Sequence, residues 1–355
     1  MSNKTEVRRY RYRRSIGIAA IVSLMGLVVA AVAPAVDIGP DAYGYKATNK
    51  VTYSFLNIVG SGSRVLAGTD DGKATLDLGF SFQFYGVLYK SVCVSTNGLI
   101  TMGACGTGDD FANGDMTAAS PSDNQPAIAV YWSDLTFDGQ GADGIYYQTL
   151  GSAGSRQFVV QWNNVLAQNS TNAMTFEAVL SEGANTVQLQ YQSVDAGSSE
   201  VSKGKNATVG IRDTDGNKNG RVVQWSVNAP VLSENEAIQF ALGVPRLAGS
   251  TGAKGKDSTG SYVELKLTNT GTGNAKNIKI TGIVLRALAG TGSVTLNSPA
   301  LPYTVANLDV GASVTIKVYV TVPATVTRYS MTENGTFQDV AGTSLSFSIA
   351  QSIFP

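Results

Sequence analysis

The chain has 355 residues, 43% of them hydrophobic and only 15% charged, with 39 Gly, 26 basic residues against 26 acidic ones, and no His. The missing imidazole excludes a Ser-His-Asp triad, a Cys-His dyad and His-ligated zinc or haem, and two Cys are too few for an all-cysteine metal site. Balanced charge gives no basic excess of the kind that draws nucleic acid, and a chain of this size has room for about two domains.

Met1 to Arg14 carries Lys4, Arg8, Arg9, Arg11, Arg13 and Arg14 against one acid, Glu6, and the run from Ile16 to Ala33 is apolar. A basic head, an apolar stretch and the small residues around Pro34 make an export signal over residues 1–35, cleaved after Ala33 or Ala35. The alternative is an uncleaved hydrophobic helix serving as an N-terminal membrane anchor, since about 18 apolar residues just span a bilayer. Either way the rest of the chain faces outward, and only this segment meets a membrane. Removing the basic head leaves a mildly acidic protein. Cys93 and Cys105 then enter an oxidising compartment, where a disulfide between them is expected.

Beyond the head, apolar and polar residues alternate with the period of a strand. Phe80, Phe82 and Phe84 alternate with Ser81 and Gln83; Phe158, Val160 and Trp162 with Val159 and Gln161; Phe176, Ala178 and Leu180 with Glu177 and Val179; Val187, Leu189 and Tyr191 with Gln188 and Gln190. The fold class is therefore all-β, each strand turning one face to a core and the other to water or a second layer. Asn97-Gly98 predicts a two-residue type I′ hairpin, in which Thr96 faces Leu99, Val94 faces Thr101 and Cys93 faces Met102.

The alternation lapses over 244–260, a run rich in Gly that reads as a linker. It separates a domain over 40–243 from a smaller one over 261–355, where Val263, Leu265 and Leu267, then Ile278 and Ile280, Val314 to Val320, and Leu345, Phe347 and Ile349 mark short strands. That spacing fits an immunoglobulin-like β-sandwich lacking the Cys pair of antibody domains. No anchor motif is recognised near Pro355.

The segments Phe80 to Gly86 and Val92 to Gly103 resemble the nidogen-like extracellular domain, whose signature is an aromatic-Gly segment followed by a strand ending in Asn-Gly-Leu. Further blocks follow in the family's order: Ile128 to Asp134, Gly144 to Tyr147, Phe158 to Val165, Thr175 to Leu180, Val187 to Tyr191 and Ala207 to Ile211. The resemblance implies a nidogen-like β-sandwich of adhesion, matrix and exported proteins, with no catalytic residues and no agreed ligand site. The second domain is similar, in architecture only, to bacterial immunoglobulin-like modules.

Four features bear on chemistry. Asp213, Asp215, Asn217 and Asn219 place oxygen side chains at alternate positions, as a Ca²⁺ loop does, yet Lys218 and Gln224 stand where an EF-hand has Gly and Glu, and Asx and Gly also suit a surface hairpin loop. Trp132, Trp162 and Trp225, with Tyr146 and Tyr147, could stack on sugar rings, although Trp132 and Trp162 lie in core-like segments. Asp134, Asp138 and Asp143 are carboxylates of the type a glycosidase pairs, while Asp109, Asp110 and Asp115 read as solvated loop residues. Asn169, Asn206 and Asn334 head glycosylation sequons.

The sequence thus predicts an exported, non-catalytic cell-surface or matrix interaction and adhesion module. It needs no cofactor beyond the candidate structural Ca²⁺. Its partner is an extracellular protein or glycan, met by loops around residues 104–127 and 136–144. The alternative is a secreted carbohydrate-binding or carbohydrate-active protein. The ligand itself is not legible.

Overall fold

The computed structural model describes residues 35–108, 110–118, 124–214 and 219–355. The export segment expected over 1–35 lies outside them, apart from its last residue.

Two β-sandwiches follow one another along the chain. The first comprises β1 (Asp37–Ile38), β2 (Tyr45–Thr48), β3 (Ser63–Val65), β4 (Lys73–Phe84), β5 (Val87–Ser95), β6 (Leu99–Met102), β7 (Ala127–Trp132), β8 (Leu135–Thr136), β9 (Gly144–Leu150), β10 (Gln157–Ala167), β11 (Met174–Ser181), β12 (Val187–Ser193), β13 (Thr208–Arg212), β14 (Val222–Val227) and β15 (Glu236–Leu242). One sheet has the order β1-β2-β15-β12-β11-β10-β9-β3, with β8 beside β10, and the facing sheet has the order β14-β13-β7-β6-β5-β4. The alternation in β4 works as the sequence predicts: Leu76, Leu78, Phe80, Phe82 and Phe84 are buried, and Thr75, Asp77 and Ser81 are exposed. Between the sheets Trp162 stacks on Phe176, which stacks on Tyr131, each pair with ring centroids 5.4 Å apart. Each large side chain buried in this way contributes roughly 1.5–3 kcal/mol.

The free edge of β4 is closed by side chains of the opposite sheet. Thr149 Oγ1 donates to the Leu78 carbonyl (2.8 Å), Arg156 donates to the Gly79 carbonyl (2.6 Å), and Asn185 Oδ1 accepts the Gln83 amide (2.9 Å). Backbone groups that would otherwise template another strand are thereby satisfied.

The second sandwich comprises β16 (Leu247–Asp257), β17 (Gly260–Asn269), β18 (Lys276–Gly290), β19 (Thr295–Ser298), β20 (Tyr303–Thr304), β21 (Ser313–Thr321), β22 (Val326–Gln338) and β23 (Ser344–Ile353). Its sheets have the orders β16-β17-β21-β19 and β20-β18-β22-β23, over a core that includes Leu265, Leu267, Ile278, Ile280, Val318 and Met331.

Two local expectations are corrected. Most of the segment read as a Gly-rich linker is strand β16, paired with β17 from Leu247 opposite Asn269 to Asp257 opposite Gly260. Its glycines mark close packing: a Cβ on Gly249 would lie 2.8 Å from Ile349, and one on Gly255 would lie 2.7 Å from Tyr262 Oη. The hairpin at Asn97-Gly98 is also one residue out of the expected register, with Cys93 opposite Thr101 and Val94 opposite Ile100. Thr96, Asn97 and Gly98 form a three-residue loop in which only Gly98 is left-handed, at φ +69°. The two-residue turn with positive φ at both positions is Tyr85-Gly86, between β4 and β5.

The chain leaves the first sandwich through a backbone crossing. Thr272 and Thr270 donate their amides to the carbonyls of Val244 and Arg246 (2.8 and 2.7 Å). A Cβ on Gly243 would lie 2.1 Å from the Thr272 carbonyl oxygen, and one on Gly273 would lie 2.0 Å from that of Gly243.

Candidate functional site

A dense polar cluster of the first sandwich is built on Asn97. Its residue is fully buried because the β5–β6 loop tucks against the end of β7: a Cβ on Gly98 would lie 2.1 Å from the Tyr131 carbonyl oxygen. Asn97 Oδ1 accepts the Leu135 amide (2.8 Å), and Nδ2 donates to Asp71 Oδ1 (2.8 Å) and Asp110 Oδ1 (3.2 Å). Asp110, expected as a solvated loop residue, is buried. Its carboxylate lies 3.9 Å from Lys73 Nζ, and its carbonyl accepts the Trp132 indole N–H (2.7 Å). On the outer side of this cluster Asp70, Asp71 and Asp134 bring carboxylate oxygens within 4.8 Å of one another. Partial burial and then the charges of Asp71 and Asp70 push the Asp134 carboxyl above its ordinary value. Three hard oxygen donors at this spacing are a set that could hold a divalent cation.

Both sheets of this sandwich are covered over part of their outer faces, which the sequence does not announce. Over one sheet lie residues 110–118. Met116 packs on Leu99, Ala127, Ala129 and Trp132, its amide donates to Gln224 Oε1 (2.8 Å), and Asn113 Nδ2 donates to Thr208 Oγ1 (3.1 Å). The loop expected to project for binding therefore lies back on the sheet in its described part. The loop at 136–144 is stitched likewise: Asp143, buried, pairs with Arg64 at 2.6 Å and accepts the Gly139 amide (2.6 Å).

Over the other sheet runs an irregular strap, residues 52–58, joining β2, beside the edge strand β1, to β3 on the opposite edge. It crosses a row of polar side chains that stand in register on neighbouring strands, Gln161 opposite Glu177 and Glu177 opposite Gln190. The strap's alternate amides each meet one of them: Ser54 donates to Gln190 Oε1 (2.6 Å), Leu56 to Glu177 Oε1 (2.9 Å) and Ile58 to Gln161 Oε1 (2.9 Å). Gln190 Nε2 returns bonds to the Ser54 carbonyl (2.9 Å) and to Glu177 Oε1 (2.7 Å). Beneath the strap Ile58 packs with Tyr146, Val159 and Val179. Burial pushes the Glu177 carboxyl up to about 7, against the opposing pull of the Leu56 and Gln190 bonds. The one sequence signal for this row is its composition, Gln and Glu without Lys at the polar positions of three successive strands.

A family model described as NIDO related matches residues 42–248, more than half of the chain. The chain belongs to the NIDO-related family. Comparison with curated proteins finds no match. The NIDO-related region contains nearly all of the first sandwich and ends on the second residue of β16.

Within the NIDO-related domain, Cys93 and Cys105 form a disulfide that ties β5 to the start of the covering loop. Of the candidate calcium loop, Asp215 and Asn217 lie outside the described residues. The other two are engaged by Arg221: its guanidinium pairs with Asp213 (2.9 Å), and its amide donates to Asn219 Oδ1 (3.1 Å). The aromatic platform does not form from Trp132 and Trp162, which are 2% and 0% exposed and whose indole N–H groups donate to the carbonyls of Asp110 and Ser95. Tyr146 is buried under the strap, while Trp225 and Tyr147 are half-buried against the main core. Asp138 accepts the Gln140 amide (2.9 Å), and only Asp134 of the three candidate acids stands in a carboxylate cluster.

Proposed function

We propose that this NIDO-related protein is an exported, non-catalytic module that mediates interactions at the cell surface or in the extracellular matrix. The NIDO-related sandwich serves as the contact domain, and the second sandwich, read as immunoglobulin-like, spaces or presents it. The observation that carries this reading is the family match over 42–248, since that family resembles the extracellular nidogen-type modules of adhesion and matrix proteins. The Cys93–Cys105 disulfide supports it, because such bonds persist in oxidising compartments. The partner is an extracellular protein or glycan.

The test is fractionation of cells expressing the tagged chain, with thiol labelling and binding to whole cells and matrix-coated surfaces. The expected result is protein outside the cytoplasmic membrane, with Cys93 and Cys105 unreactive and saturable retention on one of those surfaces. Recovery inside cells with two reactive thiols would overturn the reading.

A further inference from the structure

The strap over residues 52–58 is fastened through side chains, and its central fastening is a carboxyl group. Glu177 is 0% exposed. Its Oε1 accepts both the Leu56 amide and Gln190 Nε2, while Oε2 is buried without a hydrogen-bond partner among the described residues. The groups facing it are Gln161 from β10, Gln190 from β12 and, from the strap, Tyr53. Tyr53 is titratable, its phenol pushed up by burial and by the charge on Glu177, and Tyr146 stands further along the same row, opposite Gln161. Among the described residues no Lys or Arg hydrogen-bonds or ion-pairs with Glu177. A buried carboxylate with one oxygen lacking any donor is strongly disfavoured, whereas the neutral acid is tolerated. The flanking fastenings, at Ser54 and Ile58, go to neutral amides that do not titrate.

We propose that the strap is a proton-operated latch: it stays seated while Glu177 carries a proton and lifts from β10, β11 and β12 when Glu177 ionises, uncovering Tyr146, Val159 and Val179. Burial places this ionisation near neutrality, at about 7. Because the folded value is raised above the ordinary carboxylate value, the seated form is fully stabilised at acid pH and loses that stabilisation as pH rises through about 7. The uncovered surface is an apolar strip bordered by Gln side chains, so the latch decides when that face is exposed to solvent.

Hydrogen exchange on the whole protein tests this, comparing about pH 5.5 with about pH 8.5 after correction for intrinsic base catalysis. The amides of Ser54, Leu56 and Ile58 are expected to lose roughly tenfold or more in protection at the higher pH, while those of β7 hold theirs. Glu177→Gln keeps the acceptor for Leu56 and is expected to stay protected at both values. Unchanged strap protection in the wild type, or the same loss in Glu177→Gln, would overturn the latch. If Glu177→Gln fails to fold, the carboxyl ¹³C titration of wild-type Glu177 decides: it must titrate near neutrality and in step with strap exchange, and a midpoint in the ordinary carboxylate range sinks the proposal.

Discussion

The two sandwiches use the same strand period but treat their outer faces differently. In the first, β7 and most of β10 and β11 are buried on both sides, because residues 110–118 and 52–58 are laid over the sheets. In the second, the outer face of β18 is bare, with Val284 57% and Leu288 45% exposed. Chain between strands makes the difference: a sheet becomes an inner layer when a connecting segment is long enough to cross it and carries amides that side chains on the sheet can accept. Each sandwich also buries one Glu beside a Gln of the next strand. Glu177 lies under a cover on the outer face, whereas Glu333 lies between the sheets with Gln351.

If the sandwiches carry separate cores, damage to one should leave the other standing, and this can be attacked in decreasing order of effect. Trp162→Ala should remove about 3–5 kcal/mol from the first sandwich, the range for a large core side chain cut to Ala. Denaturant unfolding followed by Trp fluorescence reads this directly, since Trp132, Trp162 and Trp225 all lie there. Exchange protection of β17 and β21 should be unchanged, and a matching loss in those strands would show a single cooperative unit. Opening the disulfide by Cys93→Ser with Cys105→Ser should take about 3 kcal/mol from the same sandwich, as a loop closed over a separation of 12 residues implies.

In the second sandwich, Glu333 is pushed up to about 7 by burial. Gln351 Nε2 donates to its Oε2, while Glu333 Oε1 and Gln351 Oε1 are both buried without partners among the described residues. The folded value is raised, so wild-type stability should be greatest below about pH 4.5 and decline to a plateau above about pH 7, by on the order of 2–3 kcal/mol. Glu333→Gln should flatten that profile, as measured by unfolding across the range; a wild-type profile already flat would contradict the assignment. The smallest expected effect is that of Asp134→Asn, which relieves repulsion from Asp70 and Asp71 at a partly exposed position. A gain within ~0.5 kcal/mol is expected in metal-free buffer, and a clear loss would mean that the three carboxylates are held together by something attractive.

The strands were legible because their alternation is strong, as in Leu76 to Phe84, and the all-β class follows from such runs. The family resemblance rested on segments such as Val92 to Gly103, whose Asn97 and Gly98 prove to be fixed by tertiary contacts. For the same reason the hairpin register was misread: local turn preference favours Asn97 in the left-handed region, but burial of its side chain among Asp71, Asp110 and Leu135 imposes a longer loop. Strand β16 was hidden because its glycines leave no alternation to see, their identity being set by Ile349 and Tyr262 from elsewhere in the chain. The polar row under the strap looked like ordinary solvent-facing strand positions. Nothing local distinguishes Glu177 from an exposed Glu until the path of residues 52–58 is known.

The crossing at Gly243 and Thr272 has a mechanical consequence. Where carbonyl and Cα atoms touch directly, with no side chain between them, there is no soft layer to shear and little slack to take up. The amides of Thr270 and Thr272 hold the chain that leaves β15 directly against the second sandwich through short backbone hydrogen bonds, so its path out of the first sandwich is fixed by backbone alone.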